Sequence, residues 1–244
     1  MADTSAVEIV DRAAASVERL RSVRPRVHCL TNFVAMQLSA NLLLAVGAVP
    51  SMTMEPAAMP DFVGSSAALL VNLGMLDPWR REAAPEAIGA AQARGLPWVL
   101  DPVKVERSVE RRGFAQCLLD LGPSVLRCNR AERPLLEVGR RTVVALTGPV
   151  DRIAWRDRVV EVAGGSPLMD RVTAMGCAGS ALLAACLAVE DDPFVAAASA
   201  MLMMKVAGTM AAASAAGPGS FVPAFLDAAH ALDGEALQRH GRLA

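Results

Sequence analysis

Polar residues that could bind a ligand follow several short apolar runs of this sequence. Asn72, Asp101, Asn129 and Thr147 each stand at the end of such a run. Where apolar runs form neighbouring strands of an open α/β sheet, their carboxyl ends meet at one edge, and ligands bind there. Asp101 and Glu132 carry carboxylates of the kind that hold Mg²⁺ together with water and a substrate phosphate. A simpler interpretation stays open, in which both acids only cap a helix or a turn.

The segment VTAMGCAGSALLAACLA predicts an anion-binding helix start. Ala174, Met175 and Gly176 form a turn that leads directly into an apolar helix at Cys177. Backbone N–H groups at the start of a helix have no partner within it, so they attract a phosphate or an oxyanion. The same partial positive charge predicts a lowered pKa for the Cys177 thiol. The alternative is an ordinary helix start next to a buried cysteine.

The elements that must position these residues form an alternating series. Apolar runs at 68–74, 97–103, 124–129 and 142–148 predict strands, and helical segments separate the first three of them. Strands that are apolar throughout and alternate with helices indicate a parallel sheet covered on both faces. We therefore expect an α/β fold, with one domain spanning residues 1–244.

The flanking segments continue this pattern. A helix is predicted over 5–21, a strand at 27–32, a helix over 33–47 and a strand-like run at 48–52. The alternation within 151–164 predicts a hairpin that turns at Arg156 and Asp157. The last third of the chain is predicted to be helical, in segments at 177–189, 193–216 and 219–232.

Composition excludes several classes of function. The net charge is −1, aromatic residues make up 4% and tyrosine is absent, which argues against a nucleic-acid-binding surface. The five cysteines contain no C-x-x-C pair, so zinc ribbons and disulfide frameworks are not expected. The charged N-terminal segment does not resemble a signal peptide. Together these features predict a protein of a reducing compartment, the cytoplasm.

Other functions lack their sequence markers. The stretches 27–54, 172–189 and 206–226 contain no charged residue, but polar or small residues interrupt them, and we expect buried helices rather than membrane spans. No Walker A or G-x-G-x-x-G pattern occurs. Two of the three histidines lie near the C-terminus, which gives little support for a Ser-His-Asp hydrolase.

An ordered set of motifs resembles the hydroxyethylthiazole kinase family of thiamine salvage. The motifs span about residues 27–229 and read LTNFVAMQLSANLLLAVGAVPSM, ALLVNLGML, WVLDPV, VLRCNRAE, VVALTGPVD, VTAMGC and GPGSFVPAFLDA. The resemblance implies a ribokinase-like three-layer α/β sandwich with a mostly parallel central sheet. It also implies a homotrimer with thiazole sites between subunits. The implied reaction is ATP- and Mg²⁺-dependent phosphorylation of the hydroxyl of 4-methyl-5-(2-hydroxyethyl)thiazole.

The same resemblance assigns roles to ten residues of this chain. Cys177 takes the catalytic position, next to the reacting hydroxyl, where related sugar kinases carry aspartate. The other nine are implied to bind the thiazole (Asn32, Met52, Ala174), ATP (Arg127, Thr147, Gly148, Gly176) and the metal ion (Asp101, Glu132).

The chain departs from the family pattern on the phosphate side. Ala174-Met175-Gly176-Cys177 replaces Gly-Thr-Gly-Cys, which predicts a bulky methionine in the anion cradle and the loss of a glycine's backbone freedom. Lys104-Val105-Glu106 replaces a Gly-Ala-Gly loop, and only nine residues separate Glu132 from Thr142. These changes leave open a non-catalytic or regulatory protein that binds a thiazole-type ligand. A kinase or dehydratase of the same fold with another substrate is a third possibility.

Overall fold

The apolar runs of the sequence form one central sheet. The computed structural model of the protein describes residues 6–244. The strands in these residues are β1 (Arg26–Leu30), β2 (Val49–Ser51), β3 (Ala68–Asn72), β4 (Trp98–Asp101), β5 (Val125–Asn129), β6 (Val143–Thr147), β7 (Asp151–Trp155), β8 (Arg158–Ala163) and β9 (Arg242–Leu243). Their spatial order is β2-β1-β3-β4-β5-β6-β7-β8-β9. The first six in this order pair in parallel, whereas β7, β8 and β9 are antiparallel.

Helices cover both faces of the sheet. They are α1 (Ala6–Val23), α2 (Phe33–Ala45), α3 (Met59–Gly64), α4 (Pro78–Ala93), α5 (Val109–Asp120), α6 (Met175–Leu187), α7 (Pro193–Ser214), α8 (Pro218–His230) and α9 (Gly234–His240). One apolar core lies between the sheet and α1, α2 and α6–α9, and it includes Leu20, Leu42 and Phe221. A second core on the opposite face contains Val63 of α3, Ile88 of α4 and Leu118 of α5. The predicted three-layer sandwich with a mostly parallel sheet is confirmed.

Local sequence signals explain where the helices begin. The side chain of Asn32 accepts a hydrogen bond from the N–H of Ala35 and caps α2 at 3.1 Å. Asp77 caps α4 in the same way, and a proline occupies the first position of that helix. Such residues satisfy N–H groups that the helix itself leaves unpaired. Asn32 therefore has a structural task as well as its place at the end of β1.

Most of the predicted elements are confirmed within a few residues. The 151–164 hairpin is formed by β7 and β8, and Arg156 takes a positive φ of 57° at its turn. The first predicted helix runs over 6–23; its predicted first residue, Ser5, lies outside the described residues. The C-terminal elements α9 and β9 were not predicted, because a seven-residue helix and a two-residue strand give too short a pattern to detect.

The longest apolar helix lies inside the structure. In the described part of the chain, α7 alone is long and apolar enough to cross a membrane, but 89% of its most apolar 18-residue stretch is buried inside the protein. Its neighbours are chiefly α1, α6 and α8. Its small and apolar residues therefore form core contacts.

Candidate active site

A cleft of about 790 Å³ opens at the carboxyl ends of β4, β5 and β6, next to the start of α6. Parallel strands direct their last residues to this edge, which is where open α/β sheets bind ligands. Eight of the ten residues assigned to the site line the cleft: Asp101, Arg127, Glu132, Thr147, Gly148, Ala174, Gly176 and Cys177. The structure thus brings together residues that lie up to 76 positions apart in the sequence.

A buried chain of hydrogen bonds connects the strand ends beneath the cleft. Asn32 donates to the Asn72 side-chain oxygen at 3.0 Å, and Asn72 donates to the Asp101 carboxylate at 2.8 Å. The Ser180 hydroxyl donates to the same Asp101 oxygen, Oδ2, at 2.7 Å. Arg127 lies 3.7 Å from that oxygen. Asp101, only 2% exposed, is therefore held in one orientation by partners from three elements, β3, β5 and α6.

Cys177 lies in the first turn of α6, half-buried at the wall of the cleft. Its sulfur accepts a hydrogen bond from Asn32 Nδ2 at 3.6 Å. Burial raises the pKa of the Cys177 thiol to about 11, and the nearby Asp101 carboxylate adds to this effect. The prediction of a lowered pKa was wrong, because the loss of solvation and the Asp101 charge outweigh Arg127 and the amides of Asn72 and Asn32. Cys177 is a neutral thiol at physiological pH.

The start of α6 is built on a left-handed residue. Ala174 has φ 65° and ψ 4°, a conformation that glycine adopts without strain and alanine does not. The first hydrogen bond within the helix runs from the N–H of Ala178 to the carbonyl of Ala174 at 2.9 Å. The N–H groups of the preceding turn are therefore not used inside the helix and can bind an anion.

Met175 and Gly176 occupy this turn differently from what the sequence suggests. The Met175 side chain is buried and packs in the apolar core, with only part of it bordering the cleft, so the expectation of a cradle filled by methionine is corrected. A Cβ atom on Gly176 would lie 3.0 Å from Nη1 of Arg127. Glycine here allows the guanidinium to lie directly against the helix start, which concentrates positive charge there.

Glu132 is bound through backbone donors. Its two carboxylate oxygens accept hydrogen bonds from the N–H groups of Lys104 at 2.8 Å and Asn129 at 2.9 Å. Burial raises the pKa of Glu132, and the Asp101 charge acts in the same direction, whereas the two backbone donors lower it. In the described residues no group of three or more His, Cys, Asp or Glu side chains is placed to hold a metal ion.

The loop between β6 and β7 is fixed by a buried ion pair. Lys205 of α7 donates to the carbonyl oxygens of Gly148 at 2.8 Å and Pro149 at 3.2 Å, and its Nζ lies 3.4 Å from Asp151 Oδ1. The same Asp151 oxygen accepts the N–H of Gly148 at 2.8 Å. One turn further along α7, Thr209 accepts the N–H of Gly165 at 3.0 Å. One face of α7 thus holds two loops that line the cleft.

Met52 does not line the cleft. It follows the edge strand β2, half-buried against the core. A separate hollow of about 400 Å³ is lined by Met54 and Glu55, which closely follow Met52 in the sequence, and by Phe33, Asp77 and Trp79. Asn32 also lies outside the cleft lining, but its bond to Cys177 connects it directly to the site.

Three contributors to the site, Ser180, Asp151 and Lys205, are not among the residues that the sequence predicts. Asn72 is predicted at a strand end, but its role in connecting Asn32 to Asp101 is not. Ser180 lies three residues after Cys177, close to it around the helix, and this spacing was a usable signal. Asp151 follows Gly148 by three residues, the spacing of a side-chain–backbone turn. Lys205 gave no signal, since its partners lie 54 or more positions away in the sequence.

Comparison with known proteins gives the family. The model described as the hydroxyethylthiazole kinase family matches residues 17–138 and 134–235. The chain belongs to this family. A probable hydroxyethylthiazole kinase of Agrobacterium fabrum is 44% identical over 232 residues, covering 95% of this chain and 94% of that protein. A hydroxyethylthiazole kinase of Cereibacter sphaeroides is 40% identical over 261 residues, covering 96% and 99%.

Solved structures agree with this family. The hydroxyethylthiazole kinase protein of Pyrococcus horikoshii has a TM-score of 0.92 at 30% identity, covering 96% of this chain and 98% of that one. An ADP complex of Bacillus subtilis pyridoxal kinase has a TM-score of 0.55 at 14% identity, covering 75% and 91%. The latter likeness, together with a ribokinase-like superfamily protein of Enterococcus faecalis at a TM-score of 0.62 and 14% identity, concerns the fold alone. The ribokinase-like fold is confirmed.

The short segment after Glu132 coincides with a break in the family match. The two matched parts meet at residues 134–138, and the structure has only a 3₁₀ turn there, Arg133–Leu135. The Cereibacter alignment is 261 positions long but contains only about 234 residues of this chain, 96% of its length, so the remaining positions are gaps in this chain. The Agrobacterium alignment is 232 positions long, and 95% of this chain is almost the same number of residues. A relative named as a probable kinase of this family therefore aligns with this chain almost without gaps.

Proposed function

We propose that the protein phosphorylates the hydroxyl of 4-methyl-5-(2-hydroxyethyl)thiazole with ATP, as a hydroxyethylthiazole kinase of thiamine salvage. One observation carries this proposal: in a single cleft, the start of α6 and the Arg127 guanidinium lie next to Cys177 and Asp101. Phosphoryl transfer depends chiefly on positioning and on stabilising charge on the transferred group. Family membership names the acceptor alcohol.

Cys177 has the role of orienting the acceptor hydroxyl. A thiol with a pKa of about 11 is protonated at neutral pH and is a poor general base. It can still form a hydrogen bond with the hydroxyl, and Asn32 fixes the position of its sulfur. Because the transition state of phosphoryl transfer is loose, little nucleophile activation is needed before bond formation.

Arg127 and the first turn of α6 stabilise the phosphate charge. The N–H groups of Met175, Gly176 and Cys177 precede the first hydrogen bond inside the helix, so they are available to oxygen atoms of the transferred group. Arg127 lies against this turn and adds a full positive charge. Donors that are fixed before the reaction need no reorganisation as charge develops, which is the main source of electrostatic catalysis.

Asp101 and Glu132 are the residues we propose to hold Mg²⁺. Mg²⁺ keeps several waters and binds through one or two carboxylates plus substrate phosphates, so two acids suit it and a third protein ligand is unnecessary. Both side chains are buried, line the cleft and are fixed by hydrogen bonds. When bound, the ion would neutralise charge on the nucleotide phosphates.

The nucleotide binds, in this proposal, beside the loop after β6. Thr147 and Gly148 line the cleft there, and the Lys205–Asp151 pair fixes the loop backbone. The thiazole lies toward Asn32 and Met52, and Ala174 contributes at the helix start. This arrangement points the hydroxyethyl group toward Cys177.

We further propose a homotrimer in which a neighbouring subunit completes the thiazole site. Large apolar side chains are exposed near the second hollow: Phe33 is 56%, Met75 is 53% and Trp79 is 64% exposed. A second copy of the chain would bury this surface. The five free cysteines agree with the cytoplasm as the place of action. The chain acts as one domain in this proposal, since one sheet spans it.

The test is direct. Purified protein is incubated with the thiazole alcohol, ATP and Mg²⁺, and the phosphorylated thiazole is measured by mass spectrometry. We expect product above a no-enzyme control, and loss of product when Mg²⁺ is omitted or Arg127 is replaced in Arg127→Met. Folded protein that binds the thiazole by calorimetry but forms no product would favour the non-catalytic alternative. Light scattering with Trp79→Glu tests the trimer, which this variant should dissociate.

A further inference from the structure

The loop after β4 carries Lys104, a cationic residue of the cleft. Three cationic side chains line the cleft, Lys104, Arg127 and Lys205. Arg127 lies near the Asp101 carboxylate, and Lys205 is bound to Asp151 and two carbonyl oxygens. The Lys104 side chain is exposed and makes no hydrogen bond or ion pair within residues 6–244. Its ammonium group is thus the one available to a ligand in this lining.

The backbone that presents Lys104 is strained. Val103 has φ 38° and Lys104 has φ 63°. Residues other than glycine avoid positive φ values, and β-branched residues such as valine avoid them most of all. Three contacts maintain this strained backbone: Arg111 donates to the Val103 carbonyl at 2.9 Å, the Lys104 N–H donates to Glu132 at 2.8 Å, and Val105 is buried in the core. Such conformations persist where the surroundings fix them, and they occur preferentially at functional sites.

We infer that Lys104 binds the phosphate groups of the nucleotide and sets the affinity for ATP in this chain. Glycine would adopt the backbone of position 104 without strain, so the lysine lowers stability while it adds a positive charge to the cleft. Lys104 lines the same cleft as the acids Asp101 and Glu132, and the negative charge of a polyphosphate bound there needs compensation. This inference rests on the proposed use of ATP; it adds a ligand contact at a position where the family pattern has glycine.

Three variants separate the effect of the Lys104 charge from the effect of its strained backbone. Lys104→Gly removes both, Lys104→Met removes the charge and keeps the strain, and Lys104→Arg keeps both. Arg24→Gly is the matched control, because Arg24 is also exposed and basic, has φ 50° and lies before β1, at the opposite end of the strands. Binding of Mg²⁺-ATP and of the thiazole is measured by calorimetry, and the melting temperature Tm by calorimetric scanning.

We expect Lys104→Gly to raise Tm and yet to weaken ATP binding about tenfold, the loss of one charge-assisted hydrogen bond. Lys104→Met should weaken ATP binding equally without raising Tm, and the salt dependence of the dissociation constant should fall in both variants. Lys104→Arg should bind ATP like the unaltered protein. Arg24→Gly should raise Tm and leave ATP binding unchanged. Thiazole binding should be constant throughout.

Two results would overturn the inference, and they differ in what else they affect. Unchanged ATP affinity in Lys104→Gly and Lys104→Met would show that the ammonium does not contact the phosphates; the proposed kinase function would stand. Absence of ATP binding and of product formation in the unaltered protein would remove both proposals together.

Discussion

Asn32 Nδ2 lies 3.6 Å from Cys177 Sγ, although the two residues are 145 positions apart in the sequence. The same amide group donates to Asn72, and its oxygen caps α2. Three hydrogen bonds thus fix the Asn32 side chain, and Asn32 in turn fixes the thiol at the start of α6. The end of β1 and the start of α6, which the sequence predicts as separate features, form one unit.

Replacement of this thiol should reduce the rate and not the affinity. We expect Cys177→Ala to lower kcat about tenfold, because one orienting hydrogen bond to the hydroxyl is lost. Thiazole binding, measured by calorimetry, should remain. Cys117→Ala is the control, since Cys117 is exposed and does not line the cleft. Turnover unchanged in Cys177→Ala would remove Cys177 from the reaction.

Replacing Ala174, the left-handed residue before α6, with glycine should stabilise the fold. Ala174→Gly should raise the free energy of unfolding by about 1 kcal/mol, because glycine adopts φ 65° without the clash of a Cβ atom. Ala40→Gly, inside α2, should lower it by about 1 kcal/mol, since glycine is unfavourable within a helix. Urea unfolding of both variants measures the difference. A loss of stability in Ala174→Gly would contradict the strain at this turn.

Lys205 should act on the nucleotide side of the site. Lys205→Met leaves Asp151 buried without its cation, and we expect a loss of about 3 kcal/mol of stability. The KM for ATP should rise because the Gly148–Pro149 backbone loses two hydrogen bonds, while the KM for the thiazole stays constant.

A double variant separates the loss of stability from the rise in the KM for ATP. Lys205→Met combined with Asp151→Asn should recover part of the stability, since no charge is left buried, but not the affinity for ATP. Steady-state kinetics and urea unfolding provide both quantities. An equal rise of both KM values would point to general damage instead of a local role.

His28 should make the fold sensitive to acid. Burial lowers the pKa of His28 to about 4, whereas an unfolded histidine has a pKa near 6.5. The unfolded state therefore binds the extra proton first, and stability present above about pH 6.5 is lost as the pH falls toward 4, by at most about 1.4 kcal/mol per pH unit. His28→Leu should flatten this slope in thermal melts between these pH values. His230→Gln, at an exposed histidine, should keep it.

The order of strands and helices could be read from the sequence because apolar periodicity is a local property. The apolar run at the start of 68–74 predicts a buried parallel strand wherever it stands in the sheet, and the glycine-containing turn before Cys177 predicts a helix start. Asp101, Glu132 and Thr147 follow such runs, so their meeting at one edge also follows from the strand order expected for this fold class.

The chemistry of the site was decided by tertiary contacts. Local sequence predicts an acidic Cys177 thiol, but the solvent that would support its thiolate is excluded by elements far away in the chain, and its pKa rises. Lys205 acquires its role only because α7 packs against a loop more than 50 residues earlier. By itself the sequence determined the elements and the edge at which they present polar residues. Burial and long-range hydrogen bonds, which depend on the packed structure, decided which of those residues are charged and which hold others in place.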